Sequence, residues 1–303
     1  MRLSNPLNKN SLCELSTDYI PERFRREILM HIFKNAYAEK HHDYKTPLIL
    51  AISGPPGMGK SYQTETILSS ISEKVLLKKM SGSDFEHEYA GVPIQNLKKL
   101  YLDVSQSVLF READFGVIMI DDIDSALGKW DDLVQYTMNR QLLIKALIDL
   151  ADNPYEVEYL ENEKREKSPT KRIPFIVTLN DEQKMYKPLM RNGRTHIFPW
   201  IPDRDELNII ISKIFKDINL NFEIMDLYDE LTRENIKDIP ISLFSDIKSS
   251  LNNDCIWEII NETGINQSAF NEFEQCLKIR KKYSFNELLK LAFDIISQNK
   301  NYL

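Results

Sequence analysis

Glycine is scarce in this sequence, with 9 of 303 residues, less than half of the roughly 7% usual for globular chains. A chain so poor in glycine keeps it where other residues do not fit, and three of the nine, Gly54, Gly57 and Gly59, fall within six positions. Cysteine is scarcer still. Cys13, Cys255 and Cys276 are too few and too scattered for a disulfide framework or a zinc site, so they read as ordinary thiols of a reducing compartment. The five histidines, His31, His41, His42, His87 and His196, have no metal-ligand spacing. No apolar run approaches the ~18 residues of a membrane span, and the start, Met-Arg-Leu-Ser-Asn-Pro, has no apolar signal core, so the expectation is a cytoplasmic protein without a membrane partner. A basic excess is also missing. The net charge of -7 argues against a protein that holds nucleic acid mainly by neutralising phosphates.

What is present is a change of pattern along the chain. Residues 1–20 are polar, and Pro21 opens a helical repeat of Phe24, Ile28, Leu29, Ile32 and Phe33 that ends at His41, His42 and Asp43. Short β-like runs then alternate with helical ones. Leu48–Ile52, Val75–Lys79, Val117–Ile120, Ile173–Thr178 and a segment near Thr195–Phe198 read as strands, with helices at 60–72, 93–112 and 131–152. Such alternation implies an α/β fold with a parallel sheet flanked by helices. The charged run Glu161–Arg172 reads as a solvated loop interrupting it. After Pro202 only helical periodicity remains, at 203–217, 223–232, 240–251, 268–279 and 284–298. The expected domains are therefore a short polar segment at 1–20, an α/β nucleotide-binding domain at 21–202 and a smaller all-helical lid at 203–303.

The run Gly54-Pro55-Pro56-Gly57-Met58-Gly59-Lys60-Ser61 follows the first strand and opens a helix, which is the G-x-x-x-x-G-K-S phosphate loop in its required setting. Backbone N–H groups must converge on a triphosphate, so the chain bends through angles that side chains resist. Lys60 is expected to reach the β- and γ-phosphates of ATP and Ser61 to hold Mg²⁺. A second acidic strand end, Val117-Ile118-Met119-Ile120-Asp121-Asp122-Ile123-Asp124, supplies Asp121 for the metal ion and Asp122 to polarise the attacking water. Asp122 stands where many such enzymes carry Glu, one methylene longer, and slow turnover is expected. Asp124 reads as an acid at a helix N-terminus. Asn180, just past the next strand, is placed to hydrogen-bond the γ-phosphate and the water. Two arginines follow in Arg191-Asn192-Gly193-Arg194, in the pattern by which AAA+ ATPases insert an arginine finger into a neighbouring subunit.

In more detail the chain resembles the Rubisco activase family. The runs that carry the likeness are Pro47-Leu48-Ile49-Leu50, Gly59-Lys60-Ser61-Tyr62-Gln63, Gln135-Tyr136-Thr137-Met138-Asn139, Ala151-Asp152-Asn153-Pro154, Ile176-Val177-Thr178-Leu179-Asn180-Asp181 and Arg191-Asn192-Gly193-Arg194, with weaker echoes at Thr263-Gly264-Ile265 and Phe273-Glu274-Gln275. The resemblance implies a P-loop AAA+ sheet with a helical lid, a hexameric homo-oligomeric ring, and the use of ATP to remodel a protein client, which for activases is Rubisco. It assigns nucleotide contacts to Gly54 through Ser61 and Tyr62, metal contacts to Ser61 and Asp121, and catalysis to Asp122, Asn180, Arg191 and Arg194. Two departures concern the family's other parts. Plant activases carry a long N-terminal segment that engages Rubisco, and the lid position of the family's sensor arginines reads Ile247-Lys248-Ser249-Ser250, leaving Lys248 as the positive charge there. Tyr89-Ala90-Gly91 stands where threading motors carry an aromatic pore residue, and Tyr89 would grip an extended client through its flat ring. The alternatives are a related ATPase with an unrelated client in a bacterial or phage regulatory or defence complex, a nucleic-acid motor, and a nucleotide switch with little turnover.

Overall fold

The computed structural model describes residues 19–71, 74–85, 89, 91–127, 138–161, 164–234, 236, 239–278 and 282–298. The 1–18 segment, Ala90 and the Gln135-Tyr136-Thr137 run singled out in the sequence lie outside them, as does the start of the helix expected from residue 131.

The first helix, α1 (Glu22–Lys40), starts behind Pro21, whose fixed φ suits a helix entrance. Next come strand β1 (Ile49–Ser53), helix α2 (Lys60–Ser70), strand β2 (Val75–Ser81), helix α3 (Val92–Leu109), strand β3 (Phe115–Asp121), and helices α4 (Ile123–Leu127) and α5 (Met138–Asp152). Strands β4 (Glu156–Glu161), β5 (Lys164–Pro169), β6 (Phe175–Leu179) and β7 (Thr195–Pro199) complete this part. Five strands form one sheet in the order β2-β3-β6-β1-β7, and every pairing in it is parallel. All five residues of β1 and of β6 are buried, which is why these runs are apolar on both faces instead of alternating. Leu97, Tyr101 and Val104 of α3 and Leu143, Ala146 and Leu147 of α5 are buried in one core with these strands.

Gly116 on β3 belongs to this packing. A Cβ added there would stand 2.4 Å from a Val104 methyl carbon and 3.2 Å from Ile173 and Val108, so its smallness lets α3 approach the sheet.

The charged run is not a loop. Glu156–Glu161 and Lys164–Pro169 pair as an antiparallel hairpin, with Lys167 to Glu156 at 3.0 Å and Arg165 to Glu158 at 3.7 Å across it. Its alternation is of charged residues around Val157 and Tyr159, so it lacks the apolar period that marks a strand in sequence.

The chain divides into two compact units. One comprises Pro21–Pro55 and Lys60–Ile201, and the other groups Pro202 onward with the four loop residues Pro56–Gly59. The second unit holds α6 (Arg204–Ile214), strand β8 (Asn219–Leu220), α7 (Ile224–Arg233), α8 (Ile241–Ser250), α9 (Asn253–Thr263), α10 (Gln267–Lys278), strand β9 (Lys282–Tyr283) and α11 (Phe285–Gln298). A capping box starts α6. The Asp203 carboxylate accepts the Glu206 N–H at 2.9 Å, and the Glu206 carboxylate accepts the Asp203 N–H at 2.9 Å. The sequence pattern missed α9 and the two-residue parallel pairing of β8 with β9. Cys255, on α9, is disulfide-bonded, which corrects the expectation of three ordinary thiols. Among the described residues no helix is long and apolar enough to cross a membrane.

Candidate functional site

Register aligns the strand ends. Ser53 of β1 lies opposite Leu179 of β6, so Gly54 and Asn180 are neighbours as the first residues past their strands, and the Gly54 N–H donates to Leu179 O at 3.2 Å. Ile120 of β3 lies opposite Val177, which brings Asp121 beside Thr178. The Thr178 hydroxyl donates to Asp121 Oδ1 and itself accepts the Asp122 N–H at 2.9 Å.

Gly54 lies directly under the backbone after β7. A Cβ there would sit 2.0 Å from Trp200 O, and the Trp200 N–H donates to Ser53 O at 2.6 Å. Within the helical unit, Gly57 has φ 72° and its missing Cβ would lie 2.5 Å from Pro240 and 2.7 Å from Ser242 Oγ. Its carbonyl accepts the Ser242 N–H at 3.2 Å. Met58 is buried, whereas Tyr62 on the first turn of α2 is exposed.

Lys60 is only 6% exposed. Its ammonium donates to Gly54 O at 2.7 Å, Pro55 O at 2.9 Å and Asn180 Oδ1 at 2.9 Å. Burial pulls its pKa down, and the negative charges of Asp122, Asp124 and Asp121 work against that shift. Ser61 Oγ donates to Asp121 Oδ1. One carboxylate oxygen thus collects hydroxyls from α2 and β6, and such oxygen donors suit Mg²⁺. Among the described residues no group of three or more His, Cys, Asp or Glu side chains could hold a metal ion, so a divalent ion here would take its other ligands from phosphate and water.

Asp122 has φ 48°, a left-handed conformation that Asp and Asn enter more readily than Glu. Burial raises its pKa, Asp121 and Asp124 raise it further, and Lys60 opposes them. Asp124 does more than start a helix. It is 7% exposed, its Oδ2 accepts the Asn180 N–H at 3.0 Å, and its Oδ1 is buried without a hydrogen-bond partner. What the sequence reading missed are the roles of Thr178 and of Asp124, which it took only as an acid at a helix N-terminus. Their signals were a lone hydroxyl inside an apolar strand and a third acid after two assigned ones. An open cleft of about 300 Å³, lined in part by Gly54, Pro55, Asn180, Glu182 and Ile201, lies at the carboxyl ends of β1, β6 and β7, where open parallel sheets bind ligands.

The two arginines lie elsewhere. Arg194 O accepts the Ile49 N–H at 3.1 Å, at the amino end of β1, while the Gly54–Ser61 run follows its carboxyl end. The five residues of β1 therefore separate them by about 16 Å at ~3.3 Å per residue. Arg194 is also engaged. It makes a bidentate pair with Asp152, Nε to Oδ1 and Nη2 to Oδ2 both at 2.7 Å, and Nη1 donates to Pro188 O at 2.9 Å. Arg191 is exposed. Lys248, in the helical unit, donates to Ile214 O at 2.6 Å and lies 3.7 Å from Asp217, so in this conformation its charge serves the carboxyl end of α6. Tyr89 is 68% exposed, just ahead of Gly91 and α3.

The structure thus brings Lys60, Ser61, Asp121, Asp122 and Asn180 to one edge of the sheet and leaves Arg191 and Arg194 at the other. Comparison with known proteins places the chain in a family of ATPases. The model of the ATPase family associated with various cellular activities (AAA) matches residues 50–203. Ribulose bisphosphate carboxylase/oxygenase activase of Anabaena sp. strain CA is 30% identical over 287 residues, covering 93% of this chain and 66% of that protein. The corresponding protein of Nostoc sp. strain PCC 7120 is 33% identical over 247 residues, covering 81% and 57%. The chloroplastic activase of Oryza sativa subsp. japonica is 27% identical over 293 residues, covering 93% and 59%. The chain spans somewhat less than two thirds of the length of these relatives.

Proposed function

Because the chain belongs to the AAA family of ATPases, we propose that it hydrolyses ATP at sites completed between copies of itself in a ring, and that the cycle remodels a protein client. The observation that carries the nucleotide part is the Lys60 ammonium, buried and held between the loop carbonyls and Asn180. ATP binding exchanges those loop bonds for phosphate oxygens, which Lys60 meets as a compact positive charge. Asn180, fixed through its own N–H by Asp124, orients the attacking water. Asp122, as a carboxylate, draws a proton from that water as it attacks the γ-phosphorus and the bond to the ADP oxygen breaks. Ser61 and Asp121 would hold Mg²⁺, which when bound spreads the negative charge of the phosphates.

The ring rests on the arginines. About 16 Å of strand keeps them from the phosphate loop of their own chain, whereas a second copy can receive them. A mixture tests this. Lys60→Ala and Arg191→Ala proteins, each inactive alone, should regain ATPase when combined, and no recovery in verified mixed assemblies overturns the shared site. The hexameric count and the client come by resemblance to the ribulose bisphosphate carboxylase/oxygenase activases. Asp122→Asn protein held with ATP and offered purified Rubisco should retain it in pull-down. If Rubisco is not retained, the client is another protein, and the exposed Tyr89 is then the residue to cross-link to it.

A further inference from the structure

Two arginines flank Gly193, and their guanidinium groups are in opposite circumstances. Three Arg194 nitrogens are committed, two of them to Asp152 and one to Pro188 O. Bidentate carboxylate pairs are among the stronger charge-assisted contacts, and Arg194 would have to give up all three bonds to reach a phosphate. Asp152 ends α5, so the pair ties the 186–194 loop to a helix that is packed in the core. The same loop is fixed at other points. Leu189 is 1% exposed, the Thr195 hydroxyl donates to Leu189 O at 2.8 Å, and Arg191 O accepts the N–H groups of Arg194 at 3.1 Å and Thr195 at 3.2 Å. Between these anchors stands Arg191, exposed, with no hydrogen bond or ion pair engaging its guanidinium among the described residues.

We infer that Asp152 is a positioning residue of the reaction: it holds Arg194 so that the loop presents Arg191, and Arg191 is the charge delivered to the γ-phosphate bound on a second copy. The inference rests on the shared-site reading above and divides the labour between two arginines that the sequence pattern treats alike. The geometry has a functional logic. A charge that must meet a phosphate across an interface loses less freedom on arrival if its loop is already fixed, and the Asp152 pair fixes the loop without using the arriving charge.

The test is steady-state ATPase against ATP concentration for Arg191→Ala, Arg194→Ala, Asp152→Ala and the Asp152→Ala/Arg194→Ala double variant, each first checked for an unchanged melting transition. Arg191→Ala should lower kcat by about 1000-fold or more, as for other transferred arginines, with KM for ATP unchanged. Asp152→Ala and Arg194→Ala should each lower kcat by a smaller and similar factor, again at constant KM, and the double variant should be no worse than the poorer single one. If Asp152→Ala keeps or raises kcat while Arg194→Ala abolishes it, Arg194 is itself the transferred charge and the inference is overturned. If neither arginine matters, the shared-site reading falls with it. A charge swap guards against variants that merely loosen the loop. Asp152→Arg with Arg194→Asp should recover turnover lost in Arg194→Asp alone, because a pair that only positions works in either orientation. A folded swap protein as inactive as the single variant overturns the assignment.

Discussion

Lys60 has three ammonium protons and three acceptors within its own chain, so it is fully satisfied before any ligand arrives. Nucleotide binding is an exchange of partners, and its strength is the difference between phosphate and carbonyl oxygens as acceptors. Replacing Lys60 with Met should weaken ATP binding by about 1.5–3 kcal/mol, the range for hydrogen bonds to charged groups, or roughly 13- to 160-fold, read by titration with a fluorescent nucleotide. Asp122 calls for a different substitution. Its φ of 48° is one that Asn also tolerates, so Asp122→Asn removes the charge and keeps the backbone. Turnover should fall at least 100-fold, the low end of general-base contributions, while nucleotide affinity is retained. The acid side of the wild-type rate profile follows from the same residue. Burial, then Asp121 and Asp124, hold the Asp122 carboxyl above its ordinary 3.8. Its proposed working form is the carboxylate, so activity should be present above that raised pKa and lost as pH falls through it. At saturating ATP, kcat should begin to fall at a higher pH than an ordinary aspartate would dictate, and a midpoint at or below 3.8 would speak against the assigned role.

Among the elements, α3 and β3 meet at Gly116. Gly116→Ala forces a Cβ to 2.4 Å from the Val104 methyl, and overpacking of this kind costs about 1–3 kcal/mol. Val104→Ala opens the space, so the double variant should be more stable in urea than the sum of the two single losses predicts. The element scale also explains what could be read in advance. All five parallel strands and the longer helices between them were legible, because strands such as Ile49–Ser53 are almost wholly apolar and those helices keep an apolar stripe, whereas the short α4 was not expected. The Gly54–Ser61 run and the acids at the end of β3 stood out because residue type and spacing mark them, and the structure brings them to one edge of the sheet. The hairpin was hidden because Glu158 and Lys167 face each other where a core strand would carry apolar partners. Helix α9 was hidden because Asn252, Asn253 and Asp254, at its cap and in its first turn, look like a continuing turn. Asp124 and Asp152 escaped because their roles lie in partners, Asn180 and Arg194, that are dozens of residues away.

At the scale of the whole molecule, the amino edge of the sheet is closed by a buried polar network. His31 on α1 is 5% exposed. Its Nε2–H donates to Phe175 O at 3.1 Å, and its neighbour Asn35 donates to Pro47 O at 3.1 Å and accepts Arg172 Nε at 2.7 Å. Arg172 N donates to Glu39 at 2.7 Å, and Tyr101, 0% exposed, donates to Pro154 O at 3.0 Å and accepts the Ile173 N–H at 3.2 Å. Burial drives the His31 pKa from 6.5 to about 3. The unfolded chain therefore takes up a proton below about 6.5 that the folded chain refuses, and stability falls by about 1.4 kcal/mol per pH unit down to the folded pKa. The loss should reach about 1.4 kcal/mol by pH 5.5. Urea unfolding at pH 7.5 and 5.5 should show a smaller loss for His31→Gln than for the wild-type chain, and equal losses would refute the buried neutral histidine.

That network gives the sheet two unlike margins. At one, side chains and carbonyls hold partners they have no reason to exchange. At the other, Lys60, Ser61, Asp121 and Asn180 hold partners that a phosphate could replace. Amide hydrogen exchange should record the difference as a gradient along each strand. Protection at Ile49, Phe175 and Ile176 should be nearly indifferent to nucleotide, whereas Asp122, Asn180 and the first turn of α2 should slow when ATP is added. In the proposed ring such a gradient makes a fixed hearth: fuel would be handled at one lip of the sheet, and the other lip, which carries the exposed Arg191, would stay still enough to serve as the aim of the next copy.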